Sequence, residues 1–363
     1  MKAALTAIPQ DIVAALDYER HAREHLDENA WTYLSSGAAD ELTLRANEAA
    51  FQRLQLRNRV LVDTRGGNTR LELFGHRYEH PIFLAPVAYQ RLFHPDGEQA
   101  TVLAAGTMAA GMVVSTLASA TLEDVAGTAT APLWFQLYMQ RDRAATLALV
   151  QRAEALGYAA IVVTVDAPIA GVRNREQRAG FHLPANVSAV NLAANAGSQS
   201  TVLKEGQSVV FDGLMAHAPT WADVEWLLAA TKLPVLLKGI LDPVDAIKAK
   251  DMGIAGLVVS NHGGRSVDTW PATIDALPRI VAAVDGAIPV LLDGGIRRGT
   301  DIYKAIALGA TAVFVGRPYV YALSTAGALG VAHLIRLLRE ELEITMALCG
   351  RTTLAEIDRS ALW

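Results

Sequence analysis

Gly256-Leu257-Val258-Val259-Ser260-Asn261-His262-Gly263-Gly264-Arg265 is the stretch on which the fold reading of this chain turns. A short apolar run rich in β-branched residues reads as a buried strand, and the polar and glycine residues behind it read as a tight loop at its carboxyl end. Folds that alternate parallel strands with helices place their chemistry at such strand ends. Within the loop, His262 is a side chain that can take a proton near neutral pH, and Arg265 presents a planar fork of donors suited to a carboxylate. A histidine at a strand end is by itself more often structural than reactive. The pairing with an arginine three residues on points instead to a small organic acid.

Working outward, the same pattern recurs. Apolar runs at residues 82–85, 112–115, 133–136, 160–164, 235–238, 257–260, 290–293 and 313–316 read as strands, and helical periodicity fills intervals such as 143–156 and 243–252. Eight strand-helix repeats predict an α/β fold, a closed (β/α)8 TIM barrel. Most of these strands end in a polar residue or a glycine, which gathers the candidate residues at one mouth. Two of the loops suit a phosphate: Asp293-Gly294-Gly295-Ile296-Arg297 opens a helix, and Gly316-Arg317-Pro318 ends the last strand. Glycines let backbone N–H groups approach closely, and helix starts and arginines neutralise the charge.

These loops resemble, in order and spacing, those of the FMN-dependent 2-hydroxy-acid oxidases and dehydrogenases, a family that includes glycolate, lactate and mandelate enzymes. The resemblance runs from about Tyr33 onward and rests on Tyr33 with Ser36-Gly37-Ala38, Gln136-Leu137-Tyr138, Thr164-Val165-Asp166, Lys238, and the loops at residues 260–265, 293–298 and 316–317. The run Ala85-Pro86-Val87-Ala88-Tyr89-Gln90-Arg91-Leu92-Phe93-His94-Pro95 looks most like the hydroxymandelate oxidase branch.

The resemblance implies FMN as cofactor and a role for each matching residue. His262 would be the base that removes the 2-hydroxyl proton, with Asp166 as its carboxylate partner. Arg265 and Arg173 would clamp the substrate carboxylate, although Arg173, which stands near Arg175 and Arg178, also reads as a solvated charge. Tyr33 and Tyr138 would donate hydroxyls to the substrate, or serve as core aromatics. Lys238 would face the N1/O2 edge of the flavin and stabilise the reduced ring. Pro86, Val87 and Ala88 would lie against the ring, with Ser115, Gln136, Thr164 and Ser260 on its polar edge. Asp293, Gly295, Arg297, Gly316 and Arg317 would hold the ribityl chain and phosphate. The implied reaction is oxidation of an (S)-2-hydroxy acid to the 2-oxo acid, with oxygen reoxidising the flavin to give hydrogen peroxide. The alternative is a dehydrogenase that passes electrons to a quinone or another carrier, and Ala88 is compatible with both.

Departures from the pattern bear on the substrate. Leu117 stands where glycolate oxidases carry tryptophan, and Ala170 where they carry leucine, so volume is removed beyond C2. Tyr89 offers an aromatic wall. Mandelate-like or medium-chain acids are therefore expected over glycolate. Ser266-Val267 replaces a glutamine-leucine pair common in relatives.

Composition is in keeping with this. A chain of 363 residues, 52% hydrophobic, is expected to form one barrel domain over 1–363, with an N-terminal helical segment through about residue 79 and a long loop at 173–219 between the fourth and fifth strands. That loop is expected to act as a mobile lid, and it lacks the basic amphipathic pattern of a membrane-binding segment. A net charge of −5 with no basic block argues against a nucleic-acid partner. The single Cys349 fits a buried thiol outside any metal cluster and a reducing cytoplasm. The longest apolar stretch, taken as 305–316, is too short to cross a bilayer. The resemblance also implies a homo-oligomer, commonly a tetramer.

Overall fold

The computed structural model describes residues 2–195 and 203–363. Its centre is a closed parallel barrel of β3 (Ile82–Leu84), β4 (Gly111–Ser115), β5 (Leu133–Leu137), β6 (Ala160–Thr164), β7 (Val235–Lys238), β8 (Gly256–Val259), β9 (Val290–Leu292) and β10 (Ala312–Val315), which pairs back with β3. All eight expected strands are present, each within a residue or so of its expected bounds.

The strands are apolar on both faces because the barrel is packed inside and out. Phe83, Val113, Trp134, Val162, Leu236, Val258, Leu291 and Phe314 turn inward and form one buried cluster, while their neighbours Leu84, Met112, Phe135, Ile161, Leu237, Leu257, Leu292 and Val313 join the outer cluster with the helices. That alternation is the two-residue period of a strand.

The N-terminal segment ends in a short hairpin, β1 (Leu71–Leu73) with β2 (His76–Tyr78). Leu73 and Tyr78 belong to the inner cluster, Phe74 packs 5.6 Å from the Trp134 ring, and Trp134 Nε1 donates to the Tyr78 hydroxyl at 3.2 Å. The hairpin therefore plugs the amino-terminal end of the barrel. Three helices precede it, α1 (Asp17–His25), α2 (Glu28–Ser35) and α3 (Leu42–Gln52).

The outer helices are α4 (Gly97–Thr107), α5 (Leu122–Thr128), α6 (Arg143–Ala155), α7 (Asn174–Arg178), α8 (Trp221–Ala230), α9 (Pro243–Asp251), α10 (Thr273–Val284), α11 (Gly299–Ala307) and α12 (Arg317–Leu348). Capping is local: Asp142 and Asp242 accept the first-turn N–H groups of α6 and α9. The apolar stretch that matters is α12, not 305–316. By length and composition this helix could cross a membrane, but 67% of its apolar window is buried, and it bends at Ala326 and Gly327 while packing on α1, α4 and α11.

Between β6 and β7, the long loop is α7 followed by short turns at Val190–Asn195, Val209–Gly213 and Leu214–His217. Residues 196–202 of the expected lid lie outside the described residues.

Candidate active site

A cavity of about 720 Å³ opens at the carboxyl ends of the barrel strands, within the usual range for small-molecule sites. It brings together Tyr33, Pro86, Val87, Ala88, Ser115, Gln136, Tyr138, Thr164, Arg173, Lys238, His262, Arg265, Asp293, Gly295, Arg297, Gly316 and Arg317. Two of the expected site residues, Asp166 and Ser260, do not line it; both stand directly behind residues that do.

The floor is a polar row laid across consecutive strand ends. Ser115 Oγ donates to Gln136 Oε1 at 3.2 Å, and Gln136 Nε2 donates to Thr164 Oγ1 at 3.0 Å. Lys238 Nζ donates to Ser260 Oγ at 2.7 Å and pairs with Asp293 Oδ2 at 2.8 Å. Ser260 was expected on the polar edge of the flavin. The geometry gives it another task, since it is fully buried, supports Lys238, and accepts the His262 N–H at 3.1 Å. Burial opposes charge on Lys238, but Asp293 and Asp166 outweigh it and hold its pKa above the ordinary value, so the ammonium persists.

His262 stands on a strained loop. Its φ is +57°, and Gly263 and Gly264 follow at +63° and +74°, so three successive residues are left-handed. Its Nδ1–H donates to Asp166 Oδ1 at 2.8 Å, which leaves Nε2 as the atom that can accept a proton. Burial raises the Asp166 pKa, but His262 and Lys238 outweigh it and hold the carboxyl below its usual range. Gly239, at φ +114°, gives Asp166 room, because a Cβ there would lie 2.5 Å from the Asp166 Cβ.

The N-terminal helices hold this loop in place, and sequence reading missed their part. Asn47 of α3 and the buried Asn261 exchange two amide hydrogen bonds at 2.9 and 2.8 Å. Ala38 N–H donates to the Gly264 carbonyl at 2.7 Å, and a Cβ on Gly264 would meet Leu44 N at 2.7 Å. The reason for Gly295 also differs from the expected one. A Cβ there would strike the Asn47 carbonyl oxygen at 2.1 Å, so glycine admits α3 rather than a phosphate alone. Gly316, at the start of α12, is open: among the described residues a Cβ there would meet the Ala85 Cβ alone, at 3.8 Å.

At the opposite end, Arg265 and Arg173 share the carboxylate of Glu176, which sequence reading also missed. Arg265 Nη2 donates to Glu176 Oε1 at 3.0 Å, Arg173 Nη1 lies 3.5 Å from Glu176 Oε2, and Ser36 Oγ donates to Oε1 at 2.5 Å. Arg265 also donates to the Tyr33 and Ser36 carbonyls and lies 5.0 Å from the Tyr33 ring centre. The solvated reading of Arg173 does not hold, since its side chain is only 17% exposed. Tyr33 stacks on Phe181 at 4.7 Å. Burial raises the Tyr33 and Tyr138 pKa values, so both hydroxyls remain donors at neutral pH.

Arg317 was expected on the phosphate. Its guanidinium donates to the carbonyls of Leu34, Gly263 and Ser36 at 2.8–3.0 Å, binding the N-terminal segment to the histidine loop from the cavity wall. Burial pulls its pKa down to about 10, which leaves it cationic at neutral pH.

Two buried polar atoms of the floor, Asp293 Oδ1 and Arg297 Nε, have no hydrogen-bond partner among the described residues. Buried polar atoms are normally paired, so each is an acceptor or donor suited to a bound molecule. Asp293 Oδ1 suits a ribityl hydroxyl, and Arg297 Nε with the Gly316 helix start suits a phosphate, so the set fits the ribityl phosphate chain of FMN. The fold and site thus define a class, the flavin-dependent oxidoreductases built on a closed barrel. The chain belongs to the FMN-dependent dehydrogenase family, which it matches over residues 22–363.

Its relatives include an L-lactate oxidase of Alicycliphilus denitrificans, 48% identical over 98% of this chain and 97% of that protein. Glycolate oxidase 1 of Zea mays is 42% identical over 96% of this chain and 95% of that protein. Among solved structures, mandelate oxidase with 3,3-difluoro-2-hydroxy-3-phenylpropionic acid superposes with a TM-score of 0.88 at 43% identity, covering 97% of this chain and 98% of that one.

Proposed function

We propose that this protein oxidises an (S)-2-hydroxy acid bearing an apolar C2 substituent to the 2-oxo acid, with oxygen as the final acceptor. The observation that carries the reading is His262, hydrogen-bonded to Asp166 at 2.8 Å behind it, facing the same cavity as Arg173 and Arg265. The similarity to L-lactate oxidases supports the hand of the substrate and the oxygen acceptor.

Arg173 and Arg265 bind the carboxylate and fix the acid. Tyr33 and Tyr138 donate hydroxyls toward its oxygens. His262 Nε2 takes the 2-hydroxyl proton, and Asp166 stabilises the imidazolium as it forms. Asp293, Arg297 and the Gly316 N–H would hold the cofactor, and Lys238 would stabilise its reduced ring. When bound, FMN would supply the acceptor for the hydride equivalent leaving C2, with oxygen as the final oxidant. Overall, a 2-hydroxy acid and oxygen give a 2-oxo acid and hydrogen peroxide.

Tyr89, Leu117 and Ala170 line the cavity without a charge among them, which supports a substrate larger than glycolate. An anaerobic titration with glycolate, lactate, mandelate and 2-hydroxyoctanoate, read by flavin absorbance, tests the proposal. Bleaching by the larger acids, then recolouring in air with release of peroxide, is the expected result. A flavin that stays oxidised with all four overturns it, and one that recolours only with a quinone overturns the oxygen step.

A further inference from the structure

Glu98 is a carboxylate in the core that the reaction does not use. It stands in the first turn of α4, is fully buried, and pairs with no cation among the described residues. Its partners are three neutral donors: Oε1 accepts the N–H groups of Gln90, at 3.2 Å, and Ser119, at 2.8 Å, and Oε2 accepts the Ser119 hydroxyl at 2.7 Å. Burying such a group is costly unless donors are held on it, and the helix start adds its own positive end.

Those donors belong to two loops. Gln90 follows β3 and Ser119 follows β4, and Ser119 Oγ also accepts the Arg91 N–H at 2.9 Å. The same loops meet again at the cavity, where the Tyr89 N–H donates to the Leu117 carbonyl at 3.0 Å. Tyr89 has a φ of +56°, a conformation an aromatic residue keeps only where its surroundings impose it. The Gln90 side chain adds to the support, accepting from Thr101 Oγ1 at 2.6 Å and donating to the Tyr319 hydroxyl at 3.1 Å.

We propose that Glu98 is a positioning residue for substrate selection: its buried carboxylate ties the loop after β3 to the loop after β4 and so holds Tyr89 and Leu117 as one wall against the C2 substituent. The inference rests on the proposed function, in which that substituent meets Tyr89 and Leu117. Glu98 does not line the cavity, so it acts through the wall. Loosening the tie should weaken binding of an acid that bears a ring and spare a small acid held by Arg173 and Arg265.

The test compares acetate with phenylacetate, two acids that share a carboxylate, differ by a phenyl ring and carry no hydroxyl to oxidise. Their dissociation constants are read from perturbation of the flavin absorbance in the FMN-loaded parent, Glu98→Gln and Ser119→Ala. The parent is expected to bind phenylacetate more tightly. Glu98→Gln keeps the volume but puts an NH2 group where an acceptor stood, so the preference for phenylacetate should fall about tenfold. Ser119→Ala removes the hydroxyl and leaves both N–H contacts, and should shift the preference the same way by a smaller factor.

An unchanged ratio in the glutamine variant overturns the inference, even where both acids bind more weakly, because the loss would then be general. Should that variant fail to hold flavin, Ser119→Ala decides by the same measure. A parent that binds acetate without preferring phenylacetate also overturns the inference, since no wall then meets the ring. A parent that binds neither acid removes the carboxylate clamp of the proposed function, and the inference falls with it.

Discussion

The two ends of the cavity are built in different ways. The flavin end is a row of side chains on neighbouring strands, Ser115, Gln136, Thr164 and Lys238, whose spacing follows from barrel register. The substrate end joins three stretches far apart in the chain, at Tyr33 and Ser36, at Arg173 and Glu176, and at His262 and Arg265, held by contacts across 89 to 232 residues. The first end is as rigid as the barrel. The second depends on how well the N-terminal segment docks, so damage to it should appear in the reaction before it appears in flavin binding.

The largest effect is expected where the two ends meet. His262→Ala should keep its FMN and still bind a carboxylate, yet reduce flavin about 10²–10⁴-fold more slowly, because the 2-hydroxyl proton has no acceptor. Anaerobic stopped-flow absorbance measures this directly. A parental reduction rate would remove His262 from the base role.

At the flavin end, Lys238→Met should act on stability and cofactor retention together. It leaves Asp293 buried with no cation, and breaking a buried pair by removing one partner costs about 3–5 kcal/mol. Thermal melting with and without added FMN gives the check. A variant with parental Tm and full flavin content would show that the row is not held by this pair.

The contrast also explains what could be read from the chain alone. The barrel was legible because each of its strands is a short apolar run that ends in a polar residue or glycine, and strand ends converge by geometry. Lys238 and Asp293 could be named for the same reason. Glu176 could not, since in Asn174-Arg175-Glu176-Gln177-Arg178 it looks like one charge of a solvated face; only folding sets it against Arg265. Asn47 carries no local signal either, and its pairing with Asn261 spans 214 residues. Glycines misled in a similar way. Gly295 was legible as a special position, but not as one created by the approach of α3.

A smaller and more selective effect should follow from Gly239→Ala. The new methyl would be 2.5 Å from Asp166 Cβ at a backbone φ of +114°, so Asp166 must move away from His262. Displacement of this size typically costs about 10²-fold in rate. The oxidised flavin spectrum should survive, because Asp166 does not line the cavity. Equal reduction rates in variant and parent would show that His262 works without its carboxylate.

The smallest effect concerns substrate choice at the apolar wall. Leu117 is tied to Tyr89 by the Tyr89 N–H, which donates to the Leu117 carbonyl at 3.0 Å, and the Tyr89 ring lies 6.4 Å from that of Tyr33. The backbone of this wall is therefore fixed, and its volume is set by the side chain at position 117. Leu117→Trp should fill the space that a phenyl or alkyl group would occupy while leaving the reacting end untouched. A lost ring or methylene contact is worth about 1–3 kcal/mol, so kcat/KM for mandelate should drop roughly ten- to hundredfold relative to glycolate. If glycolate is already the best substrate of the parent, or the tryptophan variant loses both activities equally, the wall does not select between these acids.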